Sequence, residues 1–303
     1  MDDEGRDTSF LGRCILGDYS FAFCESEKEG FCKWGIIIFM IKELSFALYA
    51  IKKNIQSSAE LRTSFLMNIV GMTINNTAFI IIWVFFVKSV GVIHGWTAAD
   101  IIGLLGFSSL SYGVVHSIAS GIGLTAEYVS SGSFDRFMVS PKNLLIRIAT
   151  SRFSASAIGD IVFGLVCLGV YSFLIHISIV QIILMVFLVV VSTMVFLAAL
   201  IAVMSASFLF TDAHAVTSSL FELFLTPTLF HGGSFQGATR FIFTFFIPSL
   251  IAGALPVEIV RDVSLEKLVI VSVVAIVWFL LSLKLFTAGV KKYESSNLMT
   301  FGN

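Results

Sequence analysis

Charge is scarce in this chain. Lys, Arg, Asp and Glu make up 13% of its 303 residues, against roughly 25% in an ordinary soluble domain. No Gly-x-x-x-x-Gly-Lys-Ser/Thr occurs, so there is no P-loop to cradle the phosphates of ATP. No His-Glu-x-x-His or Gly-x-Ser-x-Gly array occurs either, which removes the zinc-protease and serine-hydrolase readings. The cysteines, Cys14, Cys24, Cys32 and Cys167, form no Cys-x-x-Cys pair, and Cys167 lies in an apolar run. Free thiols are expected rather than a metal site or a disulfide framework. No basic stripe marks a nucleic-acid surface. The first ten residues are acidic and polar, so no cleavable signal peptide is expected. Neither catalysis nor a cofactor is expected of this chain, and any work done through it draws its free energy from another subunit.

What the chain has instead is hydrocarbon. Hydrophobic residues reach 57% and the mean hydropathy is +0.94. Several runs exceed the ~18 apolar residues that mark a spanning helix. The expected fold is all-α: a polytopic membrane protein in a single membrane domain, residues 34–303. Residues 1–33 differ, with clustered charge and no sustained periodicity. They read as a poorly ordered cytoplasmic extension without assigned function, or as sequence ahead of a start at Met40. From Met40 onward, Ile41, Leu44, Leu48, Ile51 and Ile55 follow the 3-4 spacing of one helical face, with Lys42, Glu43, Lys52 and Lys53 largely opposite. This predicts an amphipathic helix in the membrane interface, the alternative being a short transmembrane helix.

Six spans follow, at about 64–90, 98–126, 153–175, 179–210, from 213 to a break near Pro227, and 268–290. Lys42, Lys52, Lys53 and Arg62 precede the first. Arg136, Lys142, Arg147 and Arg152 lie between the second and third, and Lys284, Lys291 and Lys292 close the sixth. Six crossings put all three clusters on one side, so both termini are expected in the cytoplasm of a cell inner membrane. Arg240, Arg261 and Lys267, all before the last span, are the exceptions.

Two stretches depart from simple spans. Glu127–Pro141 is a short polar segment between long apolar runs. Its charges, Glu127, Asp135 and Arg136, cannot face lipid, so it must emerge from the bilayer. Gly132 breaks one helix, Ser133 can cap the next and Pro141 opens the following element. The predicted object is a small surface helix, a handle on which another protein can push. The second stretch, 221–262, is interrupted by Pro227, Gly232, Gly233, Gly237, Pro248, Gly253 and Pro256. Each break frees backbone groups that lipid cannot satisfy, so the segment packs in protein or lines water. Two short helices dipping back into the outer leaflet fit this pattern, either as an external gate or as a static lid. Glu222, flanked by apolar residues, belongs to a pathway or to helix packing, and Asp160 poses the same question with Arg152 two turns away. The polar stripes Asn68, Asn75, Asn76, Thr77 and Ser108, Ser109, Ser111, Ser117 are expected to hold helices together.

Taken with Gly95-Trp96-Thr97, Gly132-Ser-Phe-Asp-Arg136 and Pro141, Phe221-Glu-Leu-Phe224, Phe246-Ile-Pro248, Ala254-Leu-Pro256 and Lys292-Tyr-Glu294, this layout resembles permeases of type-2 ATP-binding-cassette transporters. The likeness is to the small six-span bacterial branch encoded as pairs, and it covers roughly Met40 to the end. Ser133 and Ser140 stand where the family's handle usually carries a helix former and an arginine. The resemblance implies a permease dimer of like or paired chains, docked on separate cytoplasmic ATPases and most often exporting. It makes Glu127, Gly132, Asp135, Arg136 and Pro141 the ATPase-coupling surface. Glu222, Pro227, Gly232, Gly233, Pro248 and Pro256 are the candidate gate and pathway residues. The rival classes are an ion-coupled secondary transporter, which would carry breaks in two related halves, and a non-transporting membrane scaffold.

The placement of lysine and arginine makes a testable statement about sidedness. In intact cells, single cysteines at Ser133 and Ser296 are expected to escape impermeant thiol reagents, while one at Ser234 is expected to label. Labelling of Ser133 from outside would reverse the orientation.

Overall fold

The computed structural model describes residues 29–91, 95–140, 142–210 and 213–293. The described chain is helical, in two compact units, Met1–Leu44 and Ser45–Asn303. In order the helices are α1 (Glu29–Glu60), α2 (Arg62–Val90), α3 (Ala98–Ile118), α4 (Thr125–Ser130), α5 (Asp135–Met138) and α6 (Leu144–Ala149). Then come α7 (Ser156–Leu174), α8 (Ile179–Ser205), α9 (Ala213–Thr228), α10 (Ala238–Phe241), α11 (Ser249–Ala252), α12 (Ala254–Asp262) and α13 (Leu265–Lys291). Among the described residues, α2, α3, α7, α8 and α13 are long and apolar enough to cross a membrane. The expected tail falls mainly on residues 1–28, outside the described ones, and α1 begins ahead of Met40. The part of its apolar face in the larger unit, Leu48 and Ile55, is exposed.

Polar residues at the span starts explain where the helices begin. Thr97 caps α3 in a capping box with Asp100, Ser178 does the same for α8 with Gln181, and Ser264 caps α13 through the Lys267 amide. Each satisfies an amide that the first helical turn leaves without a partner.

Close approach, rather than bulk, joins the central helices. A Cβ on Gly113 would meet the Ala157 carbonyl and the Ile161 amide, each at 2.8 Å, and one on Gly164 would lie 2.6 Å from the Leu110 amide. Gly159 lies as near to α2, where a Cβ would stand 2.5 Å from the Ile69 carbonyl. Lipid tails are as apolar as leucine, so helices in a membrane associate through such tight packing and through polar bonds. One bond of that kind joins Asn76 Nδ2 of α2 to Asp160 Oδ1 of α7 at 2.6 Å. The carboxylate flagged by the sequence is thus buried against the asparagine stripe, where the stripe holds two helices together.

Contacts at the helix ends fix relative directions. Arg261 Nη1, just before α13, donates to the Gly95 carbonyl before α3 at 3.1 Å. Gln181 Nε2, at the start of α8, donates to the Val260 carbonyl at 2.8 Å. At the other end, Tyr293 Oη after α13 donates to Asp135 Oδ1 after α3 at 2.9 Å. Helices α3, α8 and α13 therefore run parallel, starting at a far end and finishing beside the 127–140 segment. Helix α7 opposes them, since Gly113 late in α3 meets Ala157 early in α7, and Gly103 early in α3 meets Tyr171 late in α7.

Helix α9 is shorter than the five long helices. Its 16 residues cover about 24 Å at about 1.5 Å per residue, less than the ~30 Å hydrocarbon core. It ends at Pro227–Thr228, where proline withdraws an amide from the ladder.

Substituting Gly164 by Leu is expected to destabilise the domain, by about 1–3 kcal/mol or more for forced overpacking. Gly169 on the same helix has open space around its Cβ position, so Gly169→Ala is expected to be neutral. Thermal unfolding in detergent separates the two, and equal melting for both variants would count against close approach as the packing determinant.

Candidate functional site

The segment between α3 and α7 folds into a cap of short helices. Ala119 leads into a 3₁₀ turn, Ser120–Leu124, then α4, a turn through Gly132 and α5. Gly132 has φ +69°, the left-handed region that favours glycine. The side chain of Phe134 is fully buried against Phe208, Phe137 and Tyr293. This aromatic plug ties the handle to the ends of α8 and α13. Polar bonds complete the anchorage. Tyr293 Oη reaches Asp135, Arg147 Nη1 donates to the Phe137 carbonyl, and Arg147 Nη2 donates to the Arg136 carbonyl at 3.3 Å. Tyr128 Oη and Ser151 Oγ are 3.1 Å apart, and Gly121 allows the backbone carbonyl of Ile148 to come closer than any Cβ would permit. Helix α1 joins the same cap through Asn54 Nδ2, which donates to the Thr150 carbonyl at 2.7 Å.

These anchors leave one surface outward. Glu127 and Arg136 are exposed, and so are the apolar Met138 and Val139, the latter at 86%. The Arg136 guanidinium stacks over Phe137 and Tyr128, with centroids at 4.9 and 5.2 Å. These cation–π contacts leave the residue exposed. Of the sequence-predicted handle residues, Asp135 faces inward as an anchor, Glu127 and Arg136 face outward, and Gly132 makes the turn. Pro141 lies outside the described residues.

The second predicted region lies toward the far end. Pro227, Gly232, Pro248 and Pro256 are buried there, and Gly233 is partly buried. Gly232 sits against Trp96 and Glu258, leaving no room for a Cβ beside the Glu258 carboxylate. Glu258 is 6% exposed and bonds Arg240 Nη2 at 2.6 Å, with Lys267 Nζ at 3.8 Å. Side chains from the long helices take up the backbone groups that the breaks release. Ser108 Oγ of α3 donates to the Thr228 carbonyl at 2.9 Å, and Ser192 Oγ of α8 to the Ile251 carbonyl at 3.1 Å. Trp278 Nε1 of α13 donates to the Phe245 carbonyl at 2.8 Å, inside a π-helical turn, Ile242–Phe246. Glu222 does not join this cluster. It stands on an exposed face of α9 with Ser218 and Thr226, one turn to either side.

Sequence reasoning did not pair Tyr293 with Asp135 or Arg240 with Glu258. Tyr293 and Asp135 are 158 residues apart; for Arg240 and Glu258, 18 apart, the available signal was a lone carboxylate, Glu258, inside the apolar run Ala254–Val260.

Partial burial and the bond to Asp135 push the Tyr293 hydroxyl up to about 12 from its usual 10. A raised acid favours its protonated, donating form, so the anchor holds fully below pH ~10 and is lost as pH rises toward 12. Tyr293→Phe is expected to speed amide exchange over 133–138 at neutral pH at a cost of about 1 kcal/mol. The wild-type handle is expected to loosen only in the alkaline range. Unchanged exchange in Tyr293→Phe would remove the anchor's role.

Comparison with curated proteins and with solved structures returned no match. The family model described as "ABC-2 family transporter protein" matches residues 72–297, which hold all but the first turns of α2 together with the handle, the far segment and α13. The chain therefore belongs to the ABC-2 family of transporter membrane proteins, as a permease domain that lacks the ATPase.

Proposed function

We propose that this chain is the membrane half of an ATP-driven exporter of the cell inner membrane, working as a homo- or heterodimer on separate cytoplasmic ABC ATPases. Membership of the family implies the ATPase partner, since the permease itself holds no ATP site. Residues 34–303 form the type-2 transmembrane domain and 1–33 an extension ahead of it, and the chain carries no cofactor of its own. The observation that carries the coupling role is the build of the handle. An inward side fixed by Phe134, Tyr293 and Arg147 leaves Glu127, Arg136, Met138 and Val139 outward. Closure of the ATPases presses on this surface, with Gly132 shaping it and Asp135 passing the force to α13. The Asn54 bond brings α1 into the same unit.

Six crossings with both termini cytoplasmic are supported by helix direction. Helix α8 ends on the handle side and α13 starts at the far end, so the chain between them crosses an odd number of times. Helix α9 and the residues that follow it make the fifth crossing. A re-entrant far segment is supported by the depth of its hydrogen bonds. Ser192 and Trp278 each lie 13 residues into their helices, about 20 Å along the axis, yet they bond Ile251 and Phe245. Chain before and after these residues returns to the far end, at Arg240 and Val260. Pro227, Gly232, Gly233, Pro248 and Pro256 shape this gate.

Glu222 supports a second permease chain. A carboxylate facing lipid costs roughly 2.5 kcal/mol or more, and the exposed Ser218–Glu222–Thr226 face is relieved of that cost when it meets a partner across a hydrated pathway. The other faces of the long helices meet membrane lipid.

Arg136→Ala and Val139→Asp are expected to leave expression and melting unchanged, since exposed sites cost within ~0.5 kcal/mol. Transport is expected to fall about ten-fold or more, because truncating a contact within an interface is far more costly. Wild-type transport with normal ATPase co-purification in both variants would overturn the coupling role.

A further inference from the structure

We infer that the groove between the π-helical turn and α13 is a binding site for an anionic amphiphile, specifically a phospholipid with a phosphate headgroup and no neutralising cation. The groove has a volume of about 330 Å³ and is built by residues that do not serve the handle or the Glu222 face. Arg240 and Lys267 stand at one end of it, and Phe241, Phe245, Leu255 and Ile270 form its walls. No carboxylate among the described residues lines it. Both cations are paired, Arg240 with Glu258 at 2.6 Å and Lys267 with Asp262 at 3.3 Å and Glu258 at 3.8 Å. The wider cluster, with Arg261 and Asp100, is balanced in charge, so the attraction for an anion is local to the groove.

Depth gives the charges their meaning. Lys267 lies in the first turn of α13 and Ile270 in the next, while the Phe245 backbone bonds Trp278 deeper in that helix. A basic end at headgroup level thus continues into an apolar channel running toward the hydrocarbon, and its walls Phe241 and Ile270 stay exposed to receive acyl chains. A soluble phosphate would use the cations but not the walls, and a neutral lipid the walls but not the cations. Both features together select an anionic lipid. The Trp278 bond stabilises the open π turn on which the site rests, and turns of this kind recur at functional positions. The inference needs only that α13 crosses the membrane, and it is read on the permease alone. Its failure is therefore distinct from failure of the ATPase-coupling reading.

The test uses the full chain in neutral detergent micelles doped with phosphatidylglycerol or with phosphatidylcholine, with retained lipid measured by native mass spectrometry. Phosphatidylglycerol is expected to be retained over phosphatidylcholine. Lys267→Gln, which keeps the Arg240–Glu258 pair, is expected to reduce that retention about five-fold, the contribution of one basic residue near an anionic surface. Phe241→Ser tests the wall and is expected to lower retention without altering the melting temperature. Inorganic phosphate alone, at concentrations that leave the protein folded, is expected not to displace the lipid. Equal retention of both lipids, full retention in both variants, or displacement by inorganic phosphate would each overturn the assignment.

Discussion

Inside a bilayer no water is available to a backbone amide or carbonyl, and each one left alone costs several kcal/mol. Unbroken helices meet this demand by themselves, but a chain that must bend within the membrane cannot. Here the residues from Pro227 to Gly253 bend repeatedly, and Ser108, Ser192 and Trp278, all on long helices, supply bonds to the carbonyls concerned. The arrangement of α3, α8 and α13 around the far segment follows from that requirement. Those three helices run parallel, so their polar side chains converge on the same broken stretch.

The same three helices meet the handle at their other ends. Helix α13 begins beside the Arg240–Glu258 pair and ends at Tyr293, whose ring packs on Phe134 and whose hydroxyl bonds Asp135. Phe134 also packs on Phe208 at the end of α8, so the handle is joined to both helix ends. The glycine contacts between α3 and α7 leave no room for a Cβ between these two helices. Packing of this kind favours switching between discrete arrangements over continuous deformation.

Much of this was legible in the sequence because the membrane imposes long-range order on local composition. Apolar runs reported the five long helices, and the clustering of Pro and Gly reported the broken segment. Glu127, Asp135 and Arg136 between two apolar runs reported the handle. What was hidden depends on pairing between distant positions. Asp160 has its partner in Asn76 on α2, not in Arg152 nearby, because the glycine-lined approach of α2 and α7 decides which polar groups meet. The bond from Tyr293 to Asp135 was hidden in the same way, since the two residues are 158 positions apart. The polar face of α9 was harder still, as the exposure of Ser218, Glu222 and Thr226 depends on how α9 packs in the fold.

The central claim, that the 127–140 handle is where an ATPase grips this permease, is tested most directly by photo-crosslinking in native membranes. A photoreactive residue at Val139 is expected to capture the ABC ATPase that co-purifies with the chain, and one at Gln236, at the far end, is expected not to. Capture from Gln236 with none from Val139 would contradict the account.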